Sequence, residues 1–174
     1  MPRHKRTLEL AVVFGLALLP ATACLRFAHS APTITVEATT PLNARMIAQR
    51  LDSDGAEATA RFLDKDAGWL RLRRAVSAGW KNWIALLPAL QPYVPEAEVE
   101  PLRAAMRHAL PTRTRDIVAT LDPKNGTVFG GGAVCRRHDL TPAARFRAIR
   151  AVESLHDIRD EERAQDCLRA LQGR

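Results

Sequence analysis

The chain has 174 residues and a mass of 19.2 kDa, which suits one domain and is too short for a large parallel α/β barrel. Its 47% hydrophobic and 26% charged residues match an average globular protein, which excludes wholesale disorder and a protein with several membrane spans. The formal net charge is +7, but the basic residues are spread among acidic ones rather than clustered with stacking aromatics, so no nucleic-acid partner is expected.

The first 31 residues have the layout of a secretory signal peptide. Residues 1–6 are basic, residues 10–19 form an uninterrupted apolar run, and Pro20 and small residues follow. The run is shorter than the roughly 20 residues of a transmembrane helix. We therefore expect a periplasmic or secreted protein that contacts the membrane only through this segment or through a lipid anchor.

Two positions for signal cleavage stay open. Cleavage after Ala23 would leave Cys24 as the first residue and make it a candidate for lipidation. Ala21 stands where a bulky aliphatic residue usually precedes such a cysteine. Cleavage at residues 28–31 would remove Cys24, and this plain secretion is the interpretation we favour.

Residues 32–41 are polar, β-branched and bounded by prolines, which predicts an extended lead-in. A helical domain, residues 42–174, follows, because apolar residues recur there at helical spacing. The first helix ends at the turn signal of residues 52–55, the second begins at Ala56, and the third begins near Asp66 as N-cap and ends at Gly79.

Three further helices are predicted before residue 122. Their apolar stripes are Trp80, Trp83, Ile84 and Leu87 for the fourth helix, Val99, Leu102, Met106 and Leu110 for the fifth, and Ile117, Val118 and Leu121 for the sixth. Pro88 should stop the fourth helix. Because proline fits only the first turn, Pro101 predicts that the fifth helix begins near Glu98.

The sequence from Thr141 to the C-terminus predicts a helical hairpin. Thr141 and Pro142 form an N-cap and first helical position. The two apolar faces are Phe146, Ile149, Val152 and Leu155, and then Ala164, Cys167, Leu168 and Leu171. The sequence has no alternating strand pattern, so the predicted fold is all-α: an irregular bundle of about seven to eight short helices with a C-terminal helical hairpin.

Cysteine and histidine residues are the candidates for chemistry. If Cys24 is removed or lipidated, Cys135 and Cys167 remain, and in an oxidising compartment this pair predicts a disulfide. The alternative is a zinc site made of these two thiolates with His138 and His156. No short loop presents the second ligand pair, so we expect no metal site and no cofactor.

Four aromatic residues lie close together in the sequence, between residues 69 and 93. Trp69, Trp80, Trp83 and Tyr93 could line a groove for a sugar, a peptide or a partner protein, but their helical spacing favours the core, with one tryptophan partly exposed. His108 follows Arg107 at the end of the fifth helix, where a cation is favourable, and is interpreted as a capping residue.

An ordered set of short motifs along the chain is similar to that of a known protein family. The motifs are Trp69, Gly79, Trp83 and Leu87, then His108–Pro111, Ile117–Val118, Leu121–Asp122, Val134–Cys135, and Cys167–Leu168 with Leu171. Over residues 56–171 this set resembles a family of small exported bacterial helical proteins with no assigned function. The resemblance implies an all-α exported domain with one disulfide and supplies no catalytic residues.

We therefore expect an exported, non-enzymatic helical binding or structural protein of the bacterial envelope, with an envelope or effector protein as its partner. One alternative, by analogy of architecture, is a periplasmic immunity-type inhibitor of a cell-wall enzyme. The other is a cell-wall-active hydrolase that uses Glu153, because Glu153–Ser154 resembles the start of a lytic transglycosylase motif. The downstream residues of that motif do not follow.

Overall fold

The structure is a computed structural model and describes residues 42–123 and 128–173, which fall into a single unit. The predicted signal peptide, the extended lead-in and Cys24 lie outside these described residues. Among the described helices, none is long and apolar enough to cross a membrane.

Ten α-helical segments lie within the described ranges. They are α1 (Ala44–Asp54), α2 (Ala56–Leu63), α3 (Gly68–Ser77), α4 (Lys81–Ile84), α5 (Leu87–Leu90), α6 (Glu96–Ala109), α7 (Thr114–Thr120), α8 (Gly131–Val134), α9 (Pro142–Glu153) and α10 (Glu161–Gln172). Residues 42–123 and 128–173 contain no β-strand, only an isolated bridge between Asp122 and Gly130. The all-α prediction is confirmed.

The boundary between α1 and α2 is where the sequence predicts it. The Asn43 side chain accepts a hydrogen bond from the Met46 amide and so caps α1. Gly55 has a φ of +83°, a conformation that glycine adopts without steric cost, and it turns the chain into α2. Local sequence signals therefore determine both ends of this helix pair.

The start of α3 differs from the prediction. Asp66 is not its N-cap: Asp66 and Ala67 both have positive φ, and α3 begins at Gly68 without a side-chain cap. A Cβ on Gly68 would lie 2.6 Å from the Leu63 carbonyl oxygen. The close approach of two backbones at Gly68, rather than a capping side chain, therefore fixes where α3 begins.

The predicted fourth helix is two short helices, α4 and α5. Pro88 does not stop a helix here, because it is the second residue of α5, a position that needs no amide donor. Trp83 is buried, whereas Trp80 precedes α4 and is 59% exposed. The apolar stripe is thus interrupted at its first residue.

Helix α6 begins earlier than predicted. It starts at Glu96, so Pro101 lies inside the helix rather than in its first turn. Pro101 cannot donate to the Ala97 carbonyl, yet the helix continues because Leu102 and Met106 are fully buried against the rest of the core. Packing has overridden the local preference.

The hairpin of α9 and α10 is present, with one correction to its inner face. The Thr141 hydroxyl caps α9 by accepting from the Ala144 amide, as predicted, and α9 packs against α10. Phe146, however, is 66% exposed, and the buried positions of α9 are Ala148 and Val152. These two lie four residues apart, which places Phe146 on the opposite face.

Helix α8 lies between two long helices. It packs against α6 and α10, and its last residue is followed by the buried Cys135. A Cβ on Gly131 would lie 2.9 Å from the Asp166 Cβ and 3.0 Å from the Cys167 amide nitrogen. Glycine at this position is therefore what allows α8 to approach α10.

The Gly131→Ala variant should be less stable than the wild type by about 1–3 kcal/mol, because the added methyl group overpacks the contact with α10. Helix propensity alone predicts the opposite, a variant more stable than the wild type, since alanine is favoured over glycine by roughly 1 kcal/mol in a helix. Urea unfolding of both proteins measures the difference. Equal or greater stability of the variant would contradict the close approach.

Candidate functional site

Cys135 and Cys167 form the predicted disulfide. Their Cα atoms are 5.2 Å apart, and both residues are fully buried. The bond joins the end of α8 to the middle of α10 across 32 positions of sequence. In the chain-entropy model a loop of this length stabilises the fold by roughly 3–4 kcal/mol.

The four residues of the alternative zinc site are not brought together as ligands. The disulfide engages both thiols, and a metal requires them as thiolates. His138 and His156 are exposed, and the Nδ1 atom of His156 lies 2.7 Å from the Ser154 carbonyl oxygen. Within the described residues no group of three or more candidate ligands is positioned to hold a metal ion.

Arg107 is the most buried arginine of a charged cluster beside the disulfide. It lies on α6, is 4% exposed, and donates from Nη1 to the Ala133 carbonyl at 3.0 Å. Its Nη2 donates to Glu100 Oε1 at 2.6 Å and lies 3.2 Å from Asp139 Oδ2. The guanidinium group therefore connects α6 to the segment that carries Cys135.

Three arginines surround the Glu100 carboxylate. Arg107 and Arg136 lie 2.6 and 2.8 Å from its Oε1 atom, and Arg103 lies 3.4 Å from Oε2. Partial burial alone would raise the pKa of Glu100, but hydrogen bonds and charges from these arginines outweigh burial and lower it. Arg103 also donates to the Val128 carbonyl at 2.7 Å.

A groove of about 880 Å³ opens above this cluster, between α6 and the start of α9. Glu100, Arg107, Arg136 and Asp139 line one side, and Arg147 lies on the α9 side. The exposed Arg147 forms no ion pair with any described residue. The groove thus has a floor of paired charges and, at its edge, a cation without an ion-pair partner in the part of the chain that the structure describes.

The outward face of α9 continues from this groove. We define the α9 face as the exposed residues Ala143, Phe146, Arg147, Arg150 and Glu153. Arg150 and Glu153 form a 3.5 Å ion pair on it. Glu153 is the candidate of the hydrolase alternative; it is 40% exposed and is the last residue of α9.

The crowded aromatic residues divide into two groups. Trp69 and Trp83 are 4% and 6% exposed and belong to the core, and the Trp69 indole also donates to Asp64 at 2.8 Å. Trp80 and Tyr93 are exposed by 59% and 42%. The four residues therefore do not line one groove together.

Comparisons with protein-family models, with curated proteins and with solved structures found no match to this chain.

The charged cluster was not predicted from the sequence. Glu100, Arg103 and Arg107 do have the helical spacing i, i+3, i+7, which places them on one face of α6. Arg136 and Asp139, the remaining members, come from a segment distant in sequence, and only the tertiary fold brings them to α6.

The Glu100→Gln variant should lower the melting temperature at neutral pH, because it removes the negative charge that Arg107 and Arg136 contact. The contribution of Glu100 is fully present above the ordinary glutamate pKa of about 4.3 and is lost as the pH falls through its lower folded-state pKa. Thermal unfolding of both proteins between pH 3 and pH 7 measures it. A difference that grows on acidification would contradict this assignment.

Proposed function

We propose that this chain is an exported, non-enzymatic binding protein of the bacterial envelope, periplasmic or secreted, and that it docks a partner protein on the α9 face. The observation that carries the proposal is the exposure of Phe146, which is 66% accessible at the centre of a capped, regular helix. Export itself is supported by the basic and apolar segments of residues 1–31.

Phe146 has no evident role in the stability of the fold. The buried side of α9 is occupied by Ala148 and Val152, so Phe146 is directed away from the core. Covering a phenylalanine side chain would contribute about 2 kcal/mol to a complex. Aromatic residues and arginines are enriched at the energetic centres of protein interfaces.

The charge of the α9 face favours an acidic partner. Arg147 has no carboxylate partner among the described residues, and Arg136 on the neighbouring groove wall is about half exposed. A carboxylate of a partner could pair with Arg147 while an apolar side chain covers Phe146, whereas Arg136 is already paired with Glu100 at 2.8 Å. Such complementarity accelerates association and rejects basic competitors.

The immunity-type inhibitor is a narrower form of this proposal. Most glycoside hydrolases carry a pair of carboxylates in the active-site cleft. A basic helix face with a protruding aromatic ring complements such a cleft in charge. A cell-wall hydrolase with such an acidic cleft is therefore one kind of acidic partner that the α9 face could bind.

The enzymatic alternative depends on Glu153. This carboxylate is well exposed and is paired with Arg150, which is an arrangement expected for a solvated helix end. Cleavage of peptidoglycan by the wild type that Glu153→Gln abolishes would favour the hydrolase over the binding protein.

The intact mass of the exported protein tests the first part of the proposal. We expect a chain that starts between Ser30 and Pro32, with a mass two hydrogens below that of the reduced form because of the disulfide. A chain that starts at Cys24 with added acyl mass would identify a lipoprotein instead. An uncleaved chain recovered from the cytoplasm would contradict export.

Site-specific photo-crosslinking tests the docking face. A photoreactive phenylalanine analogue placed at Phe146 in the full chain should yield one predominant adduct with an envelope protein in the producing bacterium. The same analogue at Tyr93, the other exposed residue of similar shape, should yield none. Equal adducts from both positions would contradict a specific α9 face.

Charge reversal provides the matched control for that experiment. Arg147→Glu should lower the yield of the adduct about tenfold, because it places a like charge opposite an acidic partner. Arg71→Glu makes the same change at an exposed α3 position and should leave the yield unchanged. An adduct insensitive to Arg147→Glu would show that the partner does not recognise this charge.

A further inference from the structure

We propose that a second groove, beside Trp80, binds a saccharide that carries a carboxylate. The groove has a volume of about 480 Å³ and is formed by the start of α1 and by residues 80–83. It shares no lining residue with the groove beside α9. The choice of a saccharide rests on the export proposed above, whereas the binding site rests on the contacts described here.

Trp80 occupies a position where the local backbone does not require an indole. Gly79, with a φ of +74°, ends α3, and the Trp80 amide donates to the Ala75 carbonyl at 3.0 Å. This motif favours an apolar residue at position 80 but does not require an aromatic one. As the residue before α4, Trp80 also provides no side-chain cap.

The exposed indole lies among polar side chains. Arg45, Lys81 and Asn82 line the same groove and are exposed, and Trp83 forms part of its wall. Arg45 forms no ion pair with any described residue, and Lys81 is paired only loosely, at 3.9 Å from Asp116. Both cations can therefore accept a new anionic partner with little loss of existing contacts.

These groups together define the class of ligand. The apolar C–H face of a pyranose ring packs on an indole, and amides such as Asn82 hydrogen-bond to its hydroxyl groups. The two cations exclude a cationic ligand and favour a carboxylate. A volume of this size lies within the range of small-ligand sites.

Isothermal titration of the exported full-length protein with two disaccharides tests the site. The probes are the muramic-acid-containing disaccharide of peptidoglycan, which carries a carboxylate, and neutral chitobiose. We expect saturable binding of the acidic disaccharide with a Kd below about 1 mM and at least tenfold weaker binding of chitobiose. No saturable binding, or equal affinity for the two sugars, would overturn the proposal.

Two variants locate the binding site. Trp80→Ala should abolish binding, and Arg45→Gln should weaken binding of the acidic disaccharide about tenfold while chitobiose binding stays unchanged. Both side chains are exposed, so far-UV circular dichroism should show intact folding. Phe146→Ala serves as the control and should bind the sugar like the wild type. Binding that survives Trp80→Ala would overturn the assignment, and a loss caused only by Phe146→Ala would place the sugar on the α9 face.

Discussion

The position of α8 between α6 and α10 is the constraint on which the C-terminal half of this fold depends. A helix of four residues has almost no stability of its own, because nucleation costs more than so few hydrogen bonds return. Three contacts from different directions hold it: the Cys135–Cys167 disulfide, the bond from Arg107 to the Ala133 carbonyl, and the approach at Gly131. Each fixes a different part of the segment, so together they determine its place and orientation.

The same contacts determine which charged side chains of the groove between α6 and α9 are available to bind a ligand. Arg107 uses both terminal nitrogens on Ala133, Glu100 and Asp139, so its role is structural despite its place in the groove wall. Releasing it would leave a buried guanidinium unpaired, which costs several kcal/mol. Among the described residues, the arginine of this groove that is left to contact another molecule is therefore Arg147, at its rim. This separation of a rigid charged floor from an accessible rim is what a preformed binding surface requires.

The sequence predicts those features of the fold that local chemistry controls. The α1–α2 boundary follows from Gly55, and the start of α9 follows from Thr141. Predictions from local sequence signals were wrong where tertiary packing determines the helix boundary. Helix α3 begins at Gly68 because of a close backbone approach, and α6 continues past Pro101 because Leu102 and Met106 are buried. The disulfide could be predicted because only two cysteines remain once Cys24 is removed or lipidated. The charged cluster could not, because the chain has 26 basic and 19 acidic residues and nothing singles out a pair such as Arg136 and Glu100, which are 36 positions apart.

Among the described residues, Phe146 and Trp80 are the most exposed of the large apolar side chains that helical spacing favoured for the core, at 66% and 59% against 42% for Tyr93. Neither aromatic side chain is required by the local structure, because Phe146 faces away from the core and the turn after α3 favours an apolar residue at position 80 without requiring an indole. Each also lies beside a cation that forms no ion pair with any described residue, Arg147 in one case and Arg45 in the other. An apolar surface next to an unsatisfied positive charge complements a ligand that has both an apolar face and an anionic group. The sites proposed at Phe146 and Trp80 would therefore use the same recognition chemistry at two separate places on the domain, and the buried core includes neither side chain.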